Sequence, residues 1–305
     1  MSKLGFLPEN TLILEDSPVG ILASQRSGAK TLRIESPQHV SVSLIEKALK
    51  ESGKQMKAKW SDKKLNVLIP MAGAGSRFAE AGYVFPKPLI EVNGKPMIQV
   101  VVENIGIDAH YIFVVQKSHR EQYNLDTLLN VITENCSVVE VDGITEGAAC
   151  TALLAKELIN NDNPLFFANS DQFVEWDSCE FMYRMQETKA DGGIVTFESV
   201  HPKWSFAKLN DNGLVTEVAE KNPISNNATV GYYFWNKGSD FVRYAEQMIN
   251  ENRRVNNEFY VCPVFNEAIS DGKEVRIFQA VKMWGLGTPH DLEYYISNYK
   301  EGVVA

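Results

Sequence analysis

The sequence predicts an α/β protein: a mainly parallel sheet flanked by helices, with a small α/β segment at its N-terminal end. Three observations carry this expectation. From Leu65 onward, short apolar runs alternate with helical periods, the β-α-β-α order of parallel sheets. The apolar runs, such as Val67-Leu68-Ile69, are continuous rather than alternating, as in strands buried on both faces. At 305 residues and 44% hydrophobic, the chain can bury one large domain or two unequal ones.

Taken in order, residues 11–34 read as a unit: a strand over 12–14, a turn at Glu15-Asp16-Ser17, a helix over 19–27 closed by Gly28, and a strand over 31–34. A helix follows over 42–51. The stretch 51–64 carries five lysines among few apolar residues and reads as a solvated linker. The domain boundary is therefore expected there, with a first segment and linker over 1–60 and a larger domain over 65–300. Beyond it come a strand at 67–69, helices over 97–105, 119–132 and 151–159, and strands over 111–115, 137–141 and 165–168. The second half adds strands over 193–198 and 229–235 and a hairpin of 206–209 with 214–218 around Asp211-Asn212-Gly213. A helix is expected to open at Asn257-Glu258-Phe259-Tyr260 and run to Ala268.

Composition narrows the partners. A formal net charge of −9 argues against a nucleic-acid or anionic-membrane surface. Cys136, Cys150, Cys179 and Cys262 show no C-x-x-C and no metal-ligand spacing with histidine, so reduced thiols are expected. The five histidines form no i, i+4 pair and read as structural or surface residues. Residues 1–16 show no basic, apolar leader pattern, from which a cytoplasmic location is expected. A homo-oligomer is left open.

The chemistry concentrates at 66–94, where a buried strand opens into Ala72, Gly73, Ala74, Gly75, Ser76 and Arg77. Glycines let backbone N–H groups converge on an anion, and Arg77 offers a two-pronged fork to phosphate oxygens. Ten residues on, Pro86 and Pro88 restrict Lys87, which suits a cation that must meet developing negative charge at a fixed place. No Walker A run exists, and Phe78 stands where a dinucleotide fingerprint needs its third small residue. Asp171, in Asn169-Ser170-Asp171-Gln172 after the 165–168 strand, reads equally as a turn former or as a ligand of a metal facing phosphates. Small residues at Gly147 and Ala148 before a helix would admit a flat base, though a plain strand-to-helix connection looks alike. Glu220-Lys221 could hold hydroxyls and phosphate, or be a solvated pair at a hairpin end. Glu258 offers a further carboxylate, though at a helix start it could simply favour the dipole.

As a block these residues resemble the signature of the sugar-phosphate nucleotidyltransferases, or NDP-sugar pyrophosphorylases: G-x-G-[ST]-R-[FL] at Gly73 to Phe78, P-K-P-[LM] at Pro86 to Leu89, and G-[KR]-P-[ML]-[IL] at Gly94 to Ile98. The resemblance covers essentially all of 65–300. It implies a Rossmann-like fold of the nucleotidyltransferase and GT-A kind, Mg2+ as cofactor, and an NTP with a phosphorylated sugar or small molecule as partners. It further implies Arg77, Lys87 and Asp171 as catalytic residues, Ala72 to Ser76 with Gly147 and Ala148 on the nucleotide, and Glu220, Lys221 and Gly231 on the acceptor. Two departures stand out. The base loop lacks its usual glutamine-proline start, and Gly285 replaces the family's second metal-binding aspartate, so that either a single carboxylate suffices or Glu258 or another acid supplies the second ligand, while Asp291 is expected to cap the last helix. Residues 11–34 resemble the last motif of the haloacid-dehalogenase-like hydrolases, but no D-x-D nucleophile is present, so Glu15 and Asp16 are expected to shape a turn. A metal-dependent glycosyltransferase and a catalytically inactive nucleotide-binding module are the competing readings.

Overall fold

The computed structural model describes residues 11–51 and 60–299. The expectations for residues 1–10 and for most of the linker, residues 52–59, lie outside the described residues. The chain forms two compact units. One takes the described residues up to Lys63 with 106–108 and 177–188; the other takes 64–105, 109–176 and the described residues from Lys189 on.

In the first unit, β1 (Leu12–Glu15), α1 (Pro18–Arg26), β2 (Lys30–Arg33) and α2 (Val42–Glu51) follow the expected order, with β1 and β2 parallel. Ser17 caps α1 by accepting the Gly20 N–H at 3.0 Å, and Pro18 pre-sets the first turn. The Ser17 hydroxyl also donates to Glu15 Oε1 at 2.9 Å, and a Cβ on Gly20 would lie 1.9 Å from that same oxygen. The Glu15 carboxylate is folded onto its own turn, where it fixes the helix entry.

The remaining elements are β3 (Trp60–Pro70), α3 (Ser76–Glu80), β4 (Glu91–Val92), β5 (Lys95–Pro96), α4 (Met97–Ile105), β6 (Ile107–Gln116), α5 (Lys117–Tyr123), α6 (Leu125–Ile132), β7 (Cys136–Val141), α7 (Ala148–Leu153), α8 (Lys156–Ile159), β8 (Leu165–Ala168), β9 (Gln172–Glu175), α9 (Ser178–Thr188), β10 (Gly192–Glu198), β11 (Ser205–Leu209), β12 (Val215–Glu220), β13 (Asn227–Trp235), α10 (Gly238–Asn250), α11 (Val264–Ser270), β14 (Val275–Gln279), β15 (Lys282–Gly285) and α12 (Pro289–Asn298). The main sheet runs β12-β11-β13-β8-β3-β6-β7, with β10 against β13 and β14 against β10. β3 is parallel to β8, β6 to β7 and β10 to β14, whereas β13 runs antiparallel to β8 and β10. Val67, Leu68 and Ile69, like Ile112 to Val115, have no exposed surface, which is why these strands read as continuous apolar runs. Stacked Trp235 and Phe265, 4.2 Å apart, seal the core behind β13. Among the described residues no helix is long and apolar enough to cross a membrane.

Three expected helices differ. The 119–132 helix is two, α5 and α6, because Asn124 takes a left-handed φ of 47° that ends one and begins the other. The 151–159 helix starts at Ala148 and breaks after Leu153, where tight i to i+3 bonds at Leu154 and Ala155 replace the helical ones. The helix expected from Asn257 begins only at Val264. Residues Val255 and Glu258 instead close a two-residue turn in which Asn256 and Asn257 have φ of 48° and 63°, the left-handed pair of a type I′ hairpin. All four cysteines are free thiols, Cys179 and Cys262 buried, the others half-buried.

Candidate active site

The carboxyl ends of β3 and β8 set the first part of the site. Past Pro70 the chain turns through the glycine loop to Gly75, whose φ of 62° makes it the left-handed N-cap of α3. A Cβ on Gly75 would lie 3.4 Å from Lys87 Cβ, so the loop rests against the proline-flanked lysine. Lys87 Nζ reaches Asp171 Oδ2 at 2.7 Å, and both side chains are largely shielded, at 19% and 23% exposure. Asp171 is itself pinned: its carbonyl accepts the Leu286 N–H at 2.8 Å, and Gln172 registers with Gly285 across β9 and β15. A Cβ on Gly287 would lie 2.7 Å from Asp171 Oδ2, so glycine there leaves room beside the oxygen that Lys87 also reaches.

Arg77 and Asp171 line a cavity of about 450 Å³ whose walls also include Ala148, Glu220, Lys221 and Gly231; Lys87, Gly75 and Gly147 are not among its lining residues. Ala72 is buried, while Gly73, Ala74 and Ser76 lie exposed beside it in sequence. Gln116 donates to the carbonyls of Ala72 at 2.6 Å and of Gly143 at 2.8 Å, tying the glycine loop to the loop before α7. Gly147 caps α7 with a φ of 133°; a Cβ there would come within 2.5 Å of the Phe259 carbonyl.

The opposite wall comes from the antiparallel half. Glu220 ends β12, hydrogen-bonded to the Ser205 hydroxyl, and burial raises its pKa above the ordinary value. Lys221 sits in the left-handed region at φ 54°, an unusual conformation for lysine, and donates from Nζ to the Tyr260 hydroxyl at 2.6 Å. Gly231 has φ 82°, and a Cβ there would lie 2.2 Å from Asn169 Nδ2 and 2.6 Å from Gln172 Oε1. Glycine therefore keeps two amides in the cavity wall. Gln172 Oε1 is buried without a hydrogen-bond partner among the described residues, and an unsatisfied buried acceptor is costly unless a ligand supplies the donor.

Two expectations are corrected here. Glu258 does not open a helix; it is exposed, and it is not among the residues of the cavity wall. Asp291 is not the cap of α12, because Thr288 is, accepting the Asp291 N–H at 3.1 Å while its hydroxyl donates to Asp291 Oδ2 at 2.8 Å. Asp291 faces the cavity, and a side chain at Gly285 would meet its carboxylate at 3.4 to 3.5 Å. Lys203 Nζ approaches Asp291 at 3.7 Å. Sequence reasoning missed Ser205, Lys203 and Tyr260 altogether, and named Asn169 and Gln172 only as neighbours of Asp171. The polar run around Asp171 was a usable signal for the last two; the others depend on pairings no local pattern encodes. Among the described residues no three His, Cys, Asp or Glu side chains group around a metal position. Asp171 and Asp291, which both line the cavity, do suit a hard cation that takes its other ligands from substrate phosphates.

Loops beyond the carboxyl ends of parallel strands thus deliver Arg77 and Asp171 to one cavity, with Lys87 held on Asp171, which defines an α/β protein with an anion-handling cleft. The chain belongs to the nucleotidyl transferase family, whose model matches residues 66–301. Among curated relatives it is 26% identical over 180 residues to a mannose-1-phosphate guanyltransferase of Schizosaccharomyces pombe, covering 56% of this chain and 50% of that one. It is 25% identical over 254 residues to the bifunctional protein GlmU of Aquifex aeolicus, covering 75% and 52%. The chain spans about half the length of these relatives. In fold it is similar to a nucleoside-diphosphate-sugar pyrophosphorylase from Vibrio cholerae RC9, with TM-score 0.66 and 23% identity over 76% of this chain and 100% of that one. A UDP-glucose pyrophosphorylase complexed with UDP-glucose gives TM-score 0.60 and 20% identity over 77% and 97%.

Proposed function

We propose that this protein transfers the nucleoside monophosphate of an NTP to a phosphorylated sugar, or a similar phosphorylated small molecule, and releases pyrophosphate. The observation that carries the reading is the 2.7 Å contact of Lys87 with Asp171, which lines one cavity with Arg77, Glu220 and Lys221. Family membership and the names of the relatives support the same class. A phosphate oxygen of the acceptor attacks the α-phosphorus, a new P–O bond forms, and the bond from the α-phosphorus to the bridging oxygen breaks with its electrons passing to pyrophosphate. The nucleophile is already charged, so no general base is required, and positioning with charge neutralisation carries the rate. Arg77 and Lys87 neutralise the triphosphate and the leaving group. Gly147 and Ala148 seat the base, while Lys221 holds the acceptor phosphate and Glu220 and Gln172 its hydroxyls. Mg2+, held by Asp171 with Asp291 as the nearby acid, would supply charge neutralisation on the phosphates.

The test is a matrix of the four common NTPs against glucose, mannose and N-acetylglucosamine 1-phosphates, scored by pyrophosphate release. Release that needs both substrates supports the reading. Consumption of an NDP-sugar without pyrophosphate would instead indicate glycosyl transfer, and Mg-NTP binding without turnover an inactive module.

Two expected results bear on the walls of the site. An acid whose pKa is higher in the fold than in the unfolded chain binds its proton more tightly when folded, so Glu220 costs stability as pH rises from the ordinary glutamate value through its raised one. Glu220→Gln removes that cost: melting curves across pH should show the variant gaining on the parent toward neutral pH, while its KM for the acceptor rises. Parallel melting curves would mean that Glu220 titrates normally. Glu15→Ala, by contrast, leaves pyrophosphate release unchanged, because that carboxylate serves its own turn; a large loss of rate would assign the first segment a catalytic part.

A further inference from the structure

We propose that Tyr260 is the positioning residue of Lys221, and that the turn carrying it ties the acceptor lysine mechanically to the loop that seats the base. This rests on the functional reading above and adds to it a coupling between the two halves of the site. Lys221 is held in a left-handed backbone, with its N–H on the Trp204 carbonyl at 2.9 Å. Its ammonium donates to the Tyr260 hydroxyl at 2.6 Å and lies 4.6 Å from the centre of that ring, so both the edge and the face of one phenol fix its direction. Burial, together with Glu258, raises the Tyr260 pKa, keeping the phenol neutral across any working pH.

One residue earlier the same strand of chain is strapped to the base loop. The Phe259 N–H donates to the Glu146 carbonyl at 2.8 Å, and its carbonyl accepts the Ala149 N–H at 3.0 Å. Gly147 packs so closely on Phe259 that a Cβ would overlap its backbone. Arg254 pairs with the Glu146 carboxylate and lays its guanidinium 4.1 Å from the centre of the Phe259 ring. The turn between these anchors is stiff: Val255 and Glu258 exchange backbone hydrogen bonds of 3.0 and 2.9 Å across Asn256 and Asn257. Adjacent residues of a stiff turn therefore grip the base loop and the acceptor lysine, and displacement of one must move the other.

Tyr260→Phe keeps the ring and removes the hydroxyl. The acceptor KM should rise about tenfold, the scale of one lost charge-assisted hydrogen bond, with the NTP KM within twofold. In a Lys221→Met background the same change should add little, because the two residues act as one unit. Arg254→Ala, which removes contacts with Glu146, Phe259, Asn252 and Asn257, should raise the acceptor KM about threefold or more if the tie transmits displacement. Equal rises in both KM values for Tyr260→Phe, or an acceptor KM within twofold of the parent, would overturn the positioning role. An unchanged acceptor KM in Arg254→Ala would overturn the tie. If the parent protein releases no pyrophosphate with any pair in the matrix, the functional reading fails separately. The positioning role is then read from titration with inorganic phosphate, whose Kd must still rise in Tyr260→Phe and in Arg254→Ala for the proposal to stand.

Discussion

Lys87→Ala lowers the rate of pyrophosphate release about a hundredfold or more, the scale of losing one preorganised charge stabiliser. Three features make this lysine a fixed cation rather than a mobile surface charge. Prolines flank it and set the backbone on both sides. The left-handed Gly75 brings the glycine loop against its Cβ, and its Nζ is already drawn to Asp171. A charge held before substrate arrives costs no reorganisation when the leaving group develops, so its loss falls mainly on the chemical step. Lys87→Arg should recover little, because a planar fork cannot take the place of a point charge clamped between prolines. The effect should appear in kcat more than in either KM. Rates within a fewfold of the parent in Lys87→Ala would remove the residue from the chemistry.

The measure of what could be read from the chain follows from how local each determinant is. Parallel strands buried on both faces announce themselves as unbroken apolar runs, and the glycine turn and Pro86-Lys87-Pro88 clamp are contiguous, so Arg77 and Lys87 were visible as candidates. The hairpin at Asp211-Asn212-Gly213 was equally plain from turn chemistry. Asn256-Asn257 encodes the same kind of turn, yet the apolar and acidic residues after it imitate a helix start, and only the backbone bonding of Val255 to Glu258 decides between them. Asp291 was misassigned because the threonine three residues before it is the better cap. Tyr260 and Ser205 could not be found at all: their partners are 39 and 15 residues away, and only the register of β11 on β12 and the strapping of Phe259 to the base loop bring them together. The resemblance implies that Lys87 and Asp171 serve one triphosphate, but their direct contact spans 84 residues and no spacing encodes it.

Asp171→Ala should be as severe as Lys87→Ala but fail in a different way. Its carboxylate is the acid at the end of β8, the position from which a strand in a parallel sheet presents a ligand to phosphates. Glycine at 287 leaves open the side of Oδ2 that a Cβ would take, so a cation can reach the carboxylate beside Lys87. Removing it should cut turnover about a hundredfold or more. The residual rate should also lose its response to added Mg2+ or Mn2+, whereas in Lys87→Ala that response persists. The two ammonium and carboxylate groups touch, so the double variant Lys87→Ala with Asp171→Ala should be far less than multiplicatively impaired. Titration with Mn2+ in the presence of an NTP, followed by the spectrum of the free ion, separates the cases without relying on turnover. Weakened Mn2+ binding in Asp171→Ala, against near-parental binding in Lys87→Ala, is the expected pattern. If both variants bind Mn2+ like the parent, the cation rests on another acid, and Asp291→Asn becomes the variant that must lose it.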